Sequence, residues 1–255
     1  MQADGIDDVL RILDGIIADY KAKSDPLGYF PALYRQVTLK VKQGIATGFF
    51  DDGPRMDRFD ALFANRYFAA YEAFQSGGQP TKSWQVAFQS TQSGQLIILQ
   101  DLLVGINAHV NLDLGVVTGE TFQGEALQDF HDDFNKINEI LAGLTPSVEA
   151  VIGQFSPLFG LLEKIGGKDA AEVLGFSLDA ARDDAWLHAV LLSLQPPAAW
   201  PLTVKALDAK VAFLGRLVAQ PAGLVGKAVD IIRETESKDV PAIIDALNSI
   251  VPTLP

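Results

Sequence analysis

Between Leu96 and Leu114 the chain is apolar on almost every side of a helix. At about 100° per residue, Leu102, Leu103, Val104, Ile106 and Leu112 point in nearly all directions. A helix apolar all round has to be covered all round. The spacing therefore predicts a central helix over about residues 93–114 and requires the rest of the chain to surround it. The same period recurs elsewhere. Ile6, Val9, Leu10, Leu13, Ile16 and Ile17 form an i, i+3, i+4, i+7 stripe, and helices are predicted from Pro31 to about Ala46 and from Met56 to Phe74. A short helix over Ser83–Ser90 follows. Beyond the central helix come a Gly115–Gly124 connector and helices over Glu125–Ala142, Pro146–Phe155, Pro157–Ile165 and Leu178–Leu194. Three more are predicted after Trp200, the last ending near Val251. Strand alternation is not seen. The fold class read from this is all-α, a single multi-helix bundle with a buried central helix. The double proline at Pro196-Pro197 is the best internal boundary, yet residues 198–255 read as helices packed on the same core, so one domain is expected over 1–255.

Charge removes several functions. With 20 Lys+Arg against 32 Asp+Glu the formal charge is −12, which disfavours nucleic acid and anionic lipid as partners. The chain contains no Cys, which excludes disulfides, thiolate catalysis and cysteine-ligated metals. No stretch of about 18 uninterrupted apolar residues occurs, so no transmembrane segment is expected. The nearest, Leu96–Leu114, is broken by Gln100, Asp101, Asn107, His109, Asn111 and Asp113. The N-terminus shows no apolar signal core, and a cytoplasmic protein is the default expectation.

Those interruptions are the informative residues. In the last turns of the central helix, His109 and Asp113 share one side, and Asn107 and Asn111 share another. A buried carboxylate needs a partner. His-x3-Asp lets two side chains reach one metal ion, and it equally suits a His–Asp hydrogen bond in a helical core. In Leu178–Leu194, Arg182 lies on a stripe with Ala185, Trp186 and Ala189, so it is expected to be buried against an acid, Asp133 or Asp60. Asp184 and His188 read as a surface or rim pair. Asp133 and Asn138 flank the apolar face of Glu125–Ala142. Asp60 and Tyr67 border the aromatic stripe of the third helix, where they can form the wall of a polar pocket.

Phe63-Ala-Asn-Arg-Tyr67, Ser83-Trp84 and Gly105-Ile-Asn-Ala-His-Val-Asn-Leu-Asp-Leu114, followed by Asp133-Phe134 with Asn138 and Ala181-Arg182 with Ala185-Trp186, resemble the uncharacterised bacterial family catalogued as domain of unknown function 5995. The resemblance covers about residues 55–195. It implies a helical protein and no established activity. His-x3-Asp is also similar to a zinc-binding segment of the all-α phospholipase C and P1-nuclease group. This chain has three His and no N-terminal Trp ligand, so that resemblance implies only a reduced, carboxylate-rich site.

Phosphate-binding glycine loops, His-Glu-x-x-His, paired Glu-x-x-His and Gly-x-Ser-x-Gly are all missing. Three readings remain. The first is an enzyme acting on a small, partly apolar metabolite, by metal-assisted hydrolysis or a lyase or cyclase reaction. Its catalytic residues would be His109, Asp113, Arg182 and Asp60, with Asn107, Asn111, Asn138, Tyr67 and Trp186 contacting ligand. A divalent ion, zinc or manganese, would sit on His109, Asp113 and Asp133. The second reading is a non-catalytic binder of an apolar small molecule, and the third a scaffold whose polar cluster only specifies packing.

Overall fold

The computed structural model describes residues 1–166 and 169–250, and among these no strand occurs. The protein is all-α and is built around one buried helix. α1 (Ile6–Lys23) buries the predicted stripe and carries Asp7 and Asp8 in its first turn and Lys21 and Lys23 in its last, matching its dipole. α2 (Tyr29–Thr47) has Pro31 in its first turn and stops at Gly48, whose φ of 72° a side chain would resist. α3 (Gly53–Gln75) is capped by the Asp52 side chain, and α4 (Lys82–Gln92) leads into the centre of the molecule.

The central rod differs from its predicted form in two ways. It starts at Ile98 and continues through Thr121, as α5 (Ile98–Ile106), a π-helical stretch (Asn107–Leu114) and α6 (Gly115–Thr121). The expected Gly115–Gly124 connector is thus mostly helix. Gly115 and Gly119 serve packing: a Cβ on Gly115 would lie 2.7 Å from the Ala185 carbonyl oxygen, and one on Gly119 2.8 Å from that of Ala189. Glycine at i and i+4 lets α6 and α10 (Leu178–Ser193) touch backbone to backbone. The second difference is the π-helix itself, since the 100° projection assumes an α-helix throughout. Its wider i→i+5 turn keeps i and i+4 side chains on one line. By length and composition the whole rod Ile98–Thr121 could cross a membrane, but 89% of its most apolar window is buried inside the protein.

The helices predicted over Glu125–Ala142 and Pro146–Phe155 are a single element, α7 (Glu125–Phe155), with Pro146 inside it. α8 (Leu161–Gly166) begins later than predicted, and α9 (Ala170–Val173) is a single turn. α11 (Trp200–Ala219), α12 (Gly223–Thr235) and α13 (Val240–Leu247) follow α10; Val251, the predicted end, lies outside the described residues. α11 packs on α4, α5 and the π-helical stretch, and α13 on α1, α2 and α7.

Several helix N-termini are capped by carboxylates from distant parts of the chain. Asp208 of α11 accepts from the backbone N–H groups of Lys82 and Ser83, both at 2.8 Å, at the start of α4. Glu236 accepts from Ile98 N–H at 2.9 Å, where the central rod begins, and Asp57 accepts from Ile6 N–H at 3.0 Å. Neither Thr81 nor Ile97 nor Gly5 supplies a side-chain cap, so these donors are satisfied only by tertiary structure.

Candidate functional site

Asp113 projects from the π-helical stretch into the core and accepts three side-chain donors. Trp84 Nε1 lies 2.7 Å from Oδ2, Arg66 Nε 3.1 Å from Oδ1, and His109 Nδ1 3.3 Å from Oδ2. The i, i+4 spacing of His109 and Asp113 supplies one contact and the surrounding helices the other two. Trp84 is fully buried, and its indole N–H needs an acceptor there. Arg66 also approaches Glu120 at 3.6 Å, linking the site to the end of the rod.

A carboxylate only accepts, so the neutral His109 ring donates from Nδ1 and keeps its lone pair on Nε2. His109 Nε2 is buried and has no partner. The ring stacks on Phe63 at 3.7 Å between centroids, with planes 7° apart, and meets the Tyr34 ring edge-on at 4.7 Å. Burial holds the imidazole below its ordinary value, outweighing the upward pull of Asp113. The base is neutral and poised.

His109 opens onto a cavity of about 210 Å³ bordered by α2, α3, α5, the π-helical stretch, α7, α9 and α10. Phe30, Leu33, Phe63, Leu99, Leu103, Leu144, Ile152 and Phe176 make its walls apolar, and His109, Arg182, Tyr34, Thr145 and Glu149 add the polar atoms. Burial and the charge of Asp60 raise the Tyr34 hydroxyl well above its ordinary value, although Thr38 beside it pulls the other way. A larger groove of about 750 Å³ between α4 and α11 is lined largely by Gln, Ser, Lys and Arg, with no histidine or acid among the described residues that line it.

Arg182 is buried as expected, but its partner is not an acid. Nη2 donates to the Phe134 carbonyl at 2.5 Å, the guanidinium stacks on the Phe134 ring at 4.5 Å, and Nε has no partner. Desolvation lowers its pKa to about 10, which leaves it charged at neutral pH. The expected acids are occupied elsewhere. Asp133 is fully buried and accepts from Asp51 N–H (2.7 Å), Asp52 N–H (3.2 Å) and Arg55 Nη2 (2.7 Å), pinning the loop before α3 onto α7. Asp60 is buried beside Tyr34 without lining the cavity, and its Oδ2 has no partner.

The proposed metal triad of His109, Asp113 and Asp133 is therefore not assembled. Both Asp113 oxygens are engaged, Asp133 serves another junction, and among the described residues no three His, Asp or Glu side chains form a cation site. Asn107 and Asn111 form a structural ladder instead of a ligand contact. Asn111 Nδ2 donates to Asn107 Oδ1 at 3.0 Å, and Asn107 Nδ2 to the Val211 carbonyl at 3.0 Å, fastening the rod to α11. Tyr67 lies behind Phe30 and Trp84, and Trp186 packs on His131 and Phe134; neither borders the cavity, nor does Asn138, whose Oδ1 is buried without a partner. The rim pair expected of Asp184 and His188 is split. His188 is buried with Nδ1 3.1 Å from the Asn111 carbonyl, while Asp184 pairs with Lys210 at 2.8 Å. Tyr34 was not singled out from sequence, since an aromatic in an amphipathic helix carries no separate signal.

No curated protein and no solved structure matches the chain. A sequence family described as a family of unknown function, DUF5995, matches residues 6–221, which takes in α1 to α11 and every residue of the His109 site. The chain belongs to the DUF5995 family.

Proposed function

We propose that the protein is an enzyme that performs acid–base chemistry on a small, mostly apolar molecule held in the 210 Å³ cavity, with His109 Nε2 as the proton acceptor. The observation that carries this reading is the division of His109's hydrogen bonding: Nδ1 is committed to Asp113, while Nε2, on a ring that lines the cavity, has no hydrogen-bond partner. An imidazole fixed in tautomer and orientation by a carboxylate is suited to remove or return a proton. Trp84 and Arg66 hold that carboxylate in place, and so act as positioning residues. Apolar walls lower the polarity around the transferred proton. The reactions that fit are proton abstraction, elimination or hydrolysis at a bond adjacent to an apolar body.

A second reading is favoured by the walls themselves. Apart from the few polar side chains they are aliphatic and aromatic, as a non-catalytic binder of an apolar molecule would also require. The two are separated by incubating the parent protein and His109→Gln with a hydrophobic metabolite extract and following both by mass spectrometry. The enzyme reading expects features consumed and formed by the parent alone, with loss of about 10²-fold or more in the variant. The pH profile of turnover should have its acid limb below 6.5, because burial lowers the His109 value. Co-purification of the same molecules with both proteins, and turnover by neither, would leave the binder.

A further inference from the structure

The His109 reading leaves Arg182 unused. Arg182 is 4% exposed, lines the cavity and makes no ion pair within the described residues. Its Nε–H is buried and donates to nothing. A buried guanidinium normally has a carboxylate against it, because a charge removed from water without a counter-charge costs several kcal/mol on general grounds. Here Phe134 offers only a carbonyl and a ring face. Asp179 and Asp183, on its own helix, act on it through space without forming a salt bridge. Among the described residues Glu149 is the one acid on the cavity wall, and burial with repulsion from Glu163 and Asp169 raises its pKa.

We propose that the cavity takes a medium-chain monocarboxylic acid, its carboxylate seated on Arg182 and its apolar chain along the Leu99, Leu103, Leu144 and Ile152 wall. The proposal rests on the reading of this cavity as the substrate site. Size limits the ligand: at an interior packing density of about 0.74, 210 Å³ holds about 155 Å³ of van der Waals volume, roughly that of an eight-carbon acid. That suits a short chain and excludes a phospholipid or sterol. Charge sets the head group, since Arg pairs with a carboxylate through a charge-assisted hydrogen bond that an alcohol cannot match. Such a head would also place the molecule's first carbons in the cavity that His109 lines.

The test is calorimetric titration at neutral pH, below the onset of micelles, with octanoate, octan-1-ol and hexadecanoate. Parent, Arg182→Met, Arg182→Lys and His109→Gln are compared, each checked by circular dichroism. Octanoate is expected to bind the parent at least about tenfold more tightly than octanol, and hexadecanoate more weakly than octanoate. Arg182→Met should bind octanol as the parent does and lose the preference for octanoate; Arg182→Lys should recover part of it. His109→Gln should keep the preference for octanoate over octanol, which separates this proposal from the acid–base reading: turnover can fail while the seat survives. Equal binding of octanoate and octanol by the parent would overturn the anionic seat and leave the His109 reading standing. Binding of neither, or an octanoate preference unchanged in Arg182→Met, would overturn the proposal.

Discussion

Asp60 and Asp133 are both buried carboxyl groups in this protein, and they respond to burial in opposite ways. Asp133 is surrounded by donors, which hold its pKa below the ordinary carboxylate value despite desolvation. Asp60 has only the neighbouring Asp57 charge and burial, which raise it to about 8. At neutral pH the folded state therefore keeps a proton on Asp60 that the unfolded chain releases at about 4. Stability from this group is complete below pH 3.8 and is lost as pH rises toward 8. Asp60→Asn should remove that slope. Thermal unfolding across pH 4 to 8 is expected to show variant and parent alike at the acid end and the variant increasingly more stable above it, with a ceiling of about 4 kcal/mol near neutrality. Parallel curves would refute the assignment. The burial of Asp133 and Arg182 was legible from their places beside apolar stripes, whereas their partners were not. A sequence shows which charges need compensation, but backbone N–H groups, a carbonyl and an aromatic face can all provide it. None of these has a distinctive spacing.

Helix period, end signals and apolar coverage were enough to read the class of fold and the central position of the rod. They misplaced its end because glycine was read as a breaker. Gly115 and Gly119 lie within a helix whose neighbour approaches so closely that no Cβ fits, so tertiary packing overrides intrinsic propensity. Gly119→Ala should destabilise the protein by about 1–3 kcal/mol by denaturant titration, although alanine favours helix, because the contact at 2.8 Å is a backbone carbonyl of α10 that cannot swing aside. Gly15, in α1, has nothing within 4 Å of its would-be Cβ, so Gly15→Ala is the control and should stabilise slightly. If both substitutions behaved alike, the close approach of α6 and α10 would be disproved. The π-helical turn was illegible for a related reason. Its i→i+5 bonding leaves no periodic mark over eight residues, though the polar pairs at i, i+4 marked the place.

On the scale of the whole molecule, the distant caps tie early helices to late ones. Glu236 and Ile98 are 138 residues apart in sequence, and Asp208 and Lys82 are 126 apart. Glu236→Ala and Asp208→Ala should each lower stability by about 1–2 kcal/mol, and hydrogen exchange should quicken at the first amides of the rod and of α4 respectively. Unchanged exchange at those amides would show the caps to be dispensable. The consequence reaches into the order of folding. A chain emerging from the ribosome N-terminus first would expose the rod's leading turn, with its backbone donors unmet, until α11 and α12 had also been synthesised. Contacts of such sequence separation are entropically slow to close. The hydrophobic centre would thus wait, incompletely covered, for the last third of the chain, and that interval is when the nascent protein is most exposed to aggregation and most suited to a chaperone's hold.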